Sequence, residues 1–244
     1  MATACEDDPV RLRLVHGFSQ TARSWEPIEP LLPREWDVQA LEVPDGLDFV
    51  ATADTLGHRG GEAVWVGYSM GARLCLRLAL DRPELVERLV LLSGTAGIES
   101  TTQRAVRREA DDQLARDAGR DGVAPFIDRW LDQRLFETLP RSASQVEIRQ
   151  RAYTVGRLVH QLRALGQGTQ VPLWDRLASL EMPVLVLTGQ WDRTYGELGA
   201  RMATAIGANA RLAVVAKAGH ALNLERPSEV AHELTTWLAA DATA

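Results

Sequence analysis

The segment formed by residues 63–80 constrains the fold of this 244-residue chain more than any other part of the sequence. A mostly apolar run ends in Gly67-Tyr68-Ser69-Met70-Gly71, and an apolar helical pattern follows. A serine between two such glycines, placed between a strand and a helix, predicts a very tight turn. Side chains at Gly67 and Gly71 would strike the neighbouring backbone. We therefore expect Ser69 to have a positive φ, held by the packing around it.

Short apolar runs alternate with longer helical patterns along the chain, which is typical of a parallel sheet covered by helices. We predict strands at residues 11–18, 37–43, 63–68, 88–93, 183–188 and 211–216. Helices are predicted at residues 71–80 and 227–238, the second of which begins at a proline.

A long helical segment, residues 95–180, interrupts this alternation between the fourth and fifth predicted strands. We interpret it as a cap over the carboxyl ends of the strands, where open α/β sheets bind ligands. Residues 1–94 and 181–244 then form the core of a single domain.

Composition restricts the classes of partner. The formal net charge is −6, whereas a nucleic-acid partner favours a basic surface. No apolar run is long enough to cross a bilayer, and residues 1–8 do not resemble a signal peptide. Two cysteines, Cys5 and Cys75, make no disulfide framework, and we expect Cys75 to be a buried, inert thiol. We predict a cytoplasmic protein that binds a small molecule, with neither nucleic acid nor membrane as partner, as a monomer or a homo-oligomer.

Two further polar residues follow predicted strands. Asp192 comes shortly after the fifth strand, and His220 comes shortly after the sixth. The carboxyl ends of parallel strands meet at one edge of a sheet, so Ser69, Asp192 and His220 are expected to converge there. A serine hydroxyl becomes nucleophilic when a base takes its proton. We predict that His220 moves this proton and that Asp192 orients the imidazole and stabilises its cationic form.

Backbone N–H groups that stabilise a developing oxyanion leave little trace in a sequence. We expect one from Met70, which follows the serine, and one from Phe18, which follows the first strand in Val15-His16-Gly17-Phe18. His16 is interpreted as an anchor of that loop. No nucleotide, flavin or metal motif is present, so no cofactor and no metal ion are predicted.

These motifs together resemble the α/β-hydrolase superfamily over nearly the whole chain. The matching segments are Val-His-Gly-Phe (15–18), Gly-Tyr-Ser-Met-Gly (67–71), Gly-Gln-Trp-Asp (189–192) and Ala-Gly-His (218–220). The resemblance implies an α/β-hydrolase fold, a mostly parallel sheet flanked by helices, with a helical cap inserted between strands.

Within the superfamily the chain is most similar to the MenH-like group, the 2-succinyl-6-hydroxy-2,4-cyclohexadiene-1-carboxylate synthases. These are lyases whose substrate carries several carboxylates and loses pyruvate after a proton is abstracted. The resemblance implies a serine base, an oxyanion site for an enolate, and several substrate-binding residues. The residues that carry it over to this chain are Tyr68, Arg73, Arg107, Trp130 and Arg151.

The residues alone leave other activities open, because one fold supports many chemistries. The same three catalytic groups would serve a serine hydrolase that acts on an ester, a thioester or a C–C bond. A non-catalytic ligand receptor is a further alternative, although a binding protein has no need for an activated serine.

Overall fold

The computed structural model describes residues 9–240, and its core is a six-stranded parallel sheet. The strands are β1 (Arg11–Val15), β2 (Asp37–Leu41), β3 (Ala63–Tyr68), β4 (Val86–Leu92), β5 (Val184–Gly189) and β6 (Ala210–Val215). All six predicted strands are present. The first two end earlier than expected, because the chain leaves the sheet at His16 and at Glu42 to form loops.

The strand order is β2-β1-β3-β4-β5-β6. β3 and β5 are buried along their whole length, whereas the two edge strands, β2 and β6, expose several side chains. The chain moves outward from β1 to β2 and then returns to place β3 on the other side of β1. A crevice forms at such a reversal, outside the carboxyl ends of the strands. The loop after β1 and the turn after β3 therefore lie beside each other.

Nine α-helices accompany the sheet within the described residues. They are α1 (Phe49–Gly60), α2 (Met70–Asp81), α3 (Thr101–Asp121), α4 (Val123–Leu131), α5 (Val146–Ala152), α6 (Val155–Ala164), α7 (Arg193–Ile206), α8 (Leu222–Glu225) and α9 (Pro227–Ala240). No helix among residues 9–240 combines the length and the apolar character that a bilayer-spanning segment needs.

Two apolar clusters cover the two faces of the sheet. Alternate side chains of a strand point to opposite faces, and accordingly Trp65 of β3 packs with α1, α2 and α7. Val64 and Val66 pack on the other face with residues of α9 and of the helices between β4 and β5. The sheet is therefore shielded on both sides, which explains why its central strands are almost entirely apolar.

The segment between β4 and β5 contains α3 to α6. α3 is largely polar and buries only Asp111, Ala115 and Ala118, and it packs mainly against α6. These helices lie over the carboxyl ends of β1 and β3 and enclose a cavity there, which is lined by residues of the cap, by Phe18 after β1 and by Ser69 after β3.

Candidate active site

A strained turn presents Ser69 at the end of β3. Its φ is 52°, a value that non-glycine residues adopt rarely, so the expected positive φ is confirmed. A Cβ on Gly67 would meet the backbone of Gly71 and Ala72, and a Cβ on Gly71 would meet the carbonyl oxygens of Val15 and His16. Both glycines are therefore required by close backbone approach.

Ser69, His220 and Asp192 form a hydrogen-bonded chain. The Oγ of Ser69 lies 3.2 Å from Nε2 of His220, and Nδ1 of His220 lies 2.7 Å from Oδ2 of Asp192. His220 and Asp192 are buried, with 2% and 8% of their surfaces exposed. A carboxylate only accepts hydrogen bonds, so Nδ1 carries the proton. In the neutral imidazole, Nε2 is then a free acceptor for the Ser69 hydroxyl.

The loops that carry these residues are held by further hydrogen bonds. Asp192 caps α7, since its Oδ1 accepts from the backbone N–H of Tyr195 at 3.2 Å. Glu225 accepts from the N–H groups of Gly219 and Ala221, on either side of His220, at 2.8 and 3.0 Å. The imidazole and the carboxylate therefore have little freedom to move apart.

The loop after β1 brings Phe18 beside Ser69. His16, fully buried, accepts from the N–H of Val43 at 3.1 Å, and its Nδ1 lies 2.8 Å from the carbonyl of Gly17. His16 thus anchors this loop to the chain after β2. Neither the Phe18 N–H nor the Met70 N–H has a backbone acceptor among residues 9–240, so both are available to a ligand oxyanion.

A cavity of about 260 Å³ opens at Ser69 between the sheet and the cap. Its apolar side is formed by Phe18, Met70, Leu114, Trp130, Leu135, Leu162 and Leu165. Its polar side is formed by Arg73, Arg107, Asp111, Gln133, Gln161, Gln167 and Tyr195. Three buried polar atoms on these walls have no hydrogen-bond partner in the described chain, namely Trp130 Nε1, Gln161 Nε2 and Asp111 Oδ2.

Arg73 is a buried cation in this wall. It lies one helical turn after Ser69 on α2 and is 5% exposed. It donates to Gln170 Oε1 at 3.0 Å and to the carbonyl of Leu165 at 2.7 Å, and no carboxylate of the described residues forms an ion pair with it. Burial lowers the pKa of its guanidinium to about 10. Arg73 is therefore charged at neutral pH, and its charge is not compensated by an ion pair.

Arg107 and Trp130 also line the cavity. Arg107 reaches down from α3, pairs with Asp111 at 2.9 Å and donates to Gln167 Oε1 at 3.2 Å. Trp130, on α4, contacts Phe18 edge to face with a centroid distance of 4.8 Å. Arg107 is thus paired with a carboxylate of the cap, whereas the hydrogen-bond partners of Arg73 among the described residues are neutral.

The structure does not place Arg151 with the other expected substrate-binding residues at the cavity. Its side chain is exposed and lines a separate surface depression beside Arg23. Arg149, two residues earlier on α5, is 1% exposed and donates to Ser19 Oγ at 3.0 Å and to the carbonyl of Ser144 at 2.7 Å. Two residues are about 200° apart around a helix axis, so only one of the two arginines can face inward. The spacing of Val146, Arg149 and Tyr153, all buried, carried this signal.

The prediction that Tyr68 binds substrate is not supported by its position. The residue is 2% exposed, and a Cβ on Gly17 would touch its ring. The ring lies 5.6 Å from that of His220, between centroids, and is absent from the cavity lining. Tyr68 therefore packs under the site and supports its loops.

Sequence reasoning missed Tyr195, Gln161 and Gln167, which all line the cavity. Tyr195 follows Asp192 by three residues, and a helix N-cap places such a residue next to its side chain, so this signal was available. The two glutamines belong to α6 and the loop after it, where no motif distinguishes a buried polar residue from an exposed one.

The sequence matches a family model and several curated relatives. A model described as an alpha/beta hydrolase family matches residues 14–233. A putative 2-succinyl-6-hydroxy-2,4-cyclohexadiene-1-carboxylate synthase of Bacillus subtilis (strain 168) is 28% identical, with 87% of this chain and 84% of the relative aligned. The synthase of the same name from Serratia proteamaculans (strain 568) is 29% identical over 96% of this chain and 94% of the relative.

Among solved structures, MenH from S. aureus superposes with a TM-score of 0.89 at 22% identity, covering 100% of this chain and 98% of that chain. At this identity the likeness shows the fold. Together with the named relatives, it confirms the resemblance that the sequence motifs predicted.

Proposed function

The chain belongs to the alpha/beta hydrolase family, and we propose that it acts as a serine-dependent lyase that eliminates pyruvate from a polycarboxylate substrate of the MenH type. One observation carries this proposal: Arg73, a buried guanidinium without an ion pair among the described residues, lines the same cavity as Ser69. A cation held out of water without a partner is costly. A ligand carboxylate would supply the missing partner.

The cavity as a whole suits an anionic ligand rich in oxygen. Arg73 uses two of its five N–H donors within the protein, which leaves three for a carboxylate. Arg107 adds a second guanidinium from the cap. Trp130 Nε1 and Gln161 Nε2 are further donors without a protein acceptor. Hydrogen bonds from charged donors are about twice as strong as neutral ones.

The proposed reaction begins when His220 Nε2 takes the proton of the Ser69 hydroxyl. Ser69 then removes a proton from the carbon next to the substrate ketone, and the electron pair of that C–H bond forms an enolate. The N–H groups of Phe18 and Met70 stabilise the enolate oxygen. As the enolate collapses, the carbonyl re-forms, the electron pair forms a carbon–carbon double bond, and the bond between the substrate carbon and the leaving oxygen breaks. The leaving group departs as the enolate of pyruvate and takes up the proton held by His220 to become pyruvate, which returns His220 to its neutral form. Asp192 stabilises the imidazolium formed on the way.

A serine hydrolase is the second candidate, favoured by one observation. The wall formed by Phe18, Leu114, Trp130 and Leu135 is apolar and would accept the body of a neutral ester. In that reaction Ser69 attacks the carbonyl carbon and the same two N–H groups hold the tetrahedral oxyanion.

Pyruvate release tests the two candidates directly. Purified protein is mixed with the polycarboxylate substrate of the synthases, and pyruvate is measured with a coupled dehydrogenase. If the protein is a lyase, the wild type should release pyruvate rapidly. Ser69→Ala should lower kcat at least about a thousandfold, because it removes the base. Absence of pyruvate release by the wild type, together with turnover of p-nitrophenyl esters, would replace the lyase with the hydrolase.

Labelling with a fluorophosphonate separates either enzyme from a receptor. An activated serine reacts with this reagent and an ordinary serine does not. We expect one label at Ser69 in the wild type and none in His220→Gln. An unlabelled wild type would favour the receptor.

A further inference from the structure

Tyr195 occupies an unusual place between the catalytic loop and the cap. It stands in the first turn of α7, and its backbone N–H donates to Asp192 Oδ1 at 3.2 Å. Its ring lies 4.4 Å from the ring of His220, between centroids, at an interplanar angle of 52°. Tyr195 is thus held to Asp192 by its backbone and to His220 by its ring.

The hydroxyl of Tyr195 accepts a hydrogen bond from Gln167 Nε2 at 2.7 Å. The orientation of the Gln167 amide follows from its other contact: Arg107 Nη1 lies 3.2 Å from Oε1. A guanidinium can only donate, so the amide oxygen must face Arg107 and the amide nitrogen must face Tyr195. The tyrosine oxygen is therefore used as an acceptor, and its own proton has no protein acceptor among the hydrogen bonds of residues 9–240.

Two cations and the carboxylate of Asp192 act on this proton. Tyr195 lines the cavity with Arg73 and Arg107, and both guanidiniums act on it electrostatically. Burial nevertheless raises the pKa of the Tyr195 hydroxyl above its ordinary value. The group therefore keeps its proton at neutral pH and remains a donor.

We infer that the Tyr195 hydroxyl donates a hydrogen bond to a carboxylate of the bound ligand, as a third donor beside Arg73 and Arg107. Tyr195 would then favour ligands that direct a carboxylate toward the wall between α7 and the cap, and it would help to orient the ligand relative to Ser69. The inference rests on the part of the proposed function that makes the ligand a carboxylate, and it does not depend on pyruvate elimination.

Calorimetric binding of phthalate, a small aromatic dicarboxylate, tests this role. Tyr195→Phe removes the hydroxyl and keeps the ring against His220. Loss of a hydrogen bond to a charged group should weaken binding by about ten- to a hundredfold. Unfolding temperatures of both proteins are measured in parallel, because a folded variant with weaker binding isolates the effect at the ligand.

Gln167→Met separates direct contact from an effect through the cap. If Tyr195 acted only by holding Gln167 and Arg107 in place, Tyr195→Phe would add nothing in a Gln167→Met background. Direct donation predicts that the second change weakens phthalate binding further, by a similar factor. Three results would each overturn the inference. The Tyr195→Phe variant could bind phthalate as tightly as the wild type, the double variant could bind it as tightly as Gln167→Met, or the wild type could fail to bind it at millimolar concentration. A wild type that binds phthalate through Tyr195 and releases no pyruvate would refute only the lyase.

Discussion

Replacement of Arg73 by methionine is the perturbation that most sharply separates ligand binding from stability. Burial lowers the pKa of this guanidinium to about 10, well below its ordinary value, and each pKa unit corresponds to about 1.4 kcal/mol. Holding the charge in the folded state therefore costs on the order of 3 kcal/mol. Methionine removes that cost and fills a similar volume.

Arg73→Met also leaves two buried acceptors without a donor, Gln170 Oε1 and the carbonyl of Leu165. Each unsatisfied buried acceptor costs about 1–3 kcal/mol, so gain and loss nearly cancel. We expect the free energy of unfolding of Arg73→Met to stay within about 3 kcal/mol of the wild type, or roughly 9 °C in unfolding temperature for a chain of this size. Ligand binding has no such compensation. Two charge-assisted hydrogen bonds are worth about 3–6 kcal/mol, a loss of at least a hundredfold in affinity for phthalate.

Calorimetry and thermal unfolding measure the two effects separately. Arg77→Met is the matched control, because Arg77 lies one turn further along α2 and pairs with Asp81, away from the cavity lining. Its phthalate affinity should equal that of the wild type. Unchanged affinity in Arg73→Met would refute the anion site. A fall of more than about 10 °C in its unfolding temperature would show that the cation is structural.

The pH dependence of binding follows from the same charge. An anionic ligand needs the cationic form of Arg73, whose pKa burial lowers to about 10. Phthalate affinity should therefore not fall between pH 7 and 9 through loss of the Arg73 charge, and it should weaken as pH rises through about 10. Loss of affinity between pH 7 and 9 would implicate another group.

Three further outcomes are expected. Gly71→Ala forces a Cβ against the carbonyl oxygens of Val15 and His16. Thermal unfolding should therefore show a free energy of unfolding lower by about 3 kcal/mol or more, and a variant as stable as the wild type would contradict the tight turn. Burial raises the pKa of the Cys75 thiol far above its ordinary value, so peptide mapping should find it unmodified by iodoacetamide at pH 8 in the native protein and modified after unfolding. Arg149→Met removes the donor to Ser19 Oγ beside Phe18. It should lower kcat by about tenfold or more by displacing the loop after β1 that carries Phe18, whereas Arg151→Met should leave kcat unchanged.

Much of the architecture could be predicted because it depends on local rules. Apolar runs identified all six strands, and the glycines around Ser69 indicated the turn and its positive φ. Where each strand ends was less predictable. The predicted strands ran on to the next apolar residues, Phe18 and Val43. In the structure the backbone leaves the sheet earlier, at His16 and Glu42, and the N–H of Val43 donates to His16 instead of extending the sheet.

The cap was the least predictable part of the site. Arg149 and Arg151 are the same residue type on one short helix, and the direction in which α5 packs decides which of them is buried. The hydrogen bond between Tyr195 and Gln167 joins residues 28 positions apart, and no local pattern encodes it. Such pairings depend on how α6 and the loop after it pack over the sheet.

The sequence by itself determined the tight turn at Ser69, the parallel sheet and the order in which a serine, a carboxylate and an imidazole follow their strands. These features depend on steric limits and on side-chain periodicity, which act over a few residues. Only the tertiary structure decided which charges lie inside the cavity, which of them lack an ion pair, and which hydroxyl retains a free proton. Burial and hydrogen-bond partners are properties of neighbours in space, and the cap supplies those neighbours from distant parts of the chain.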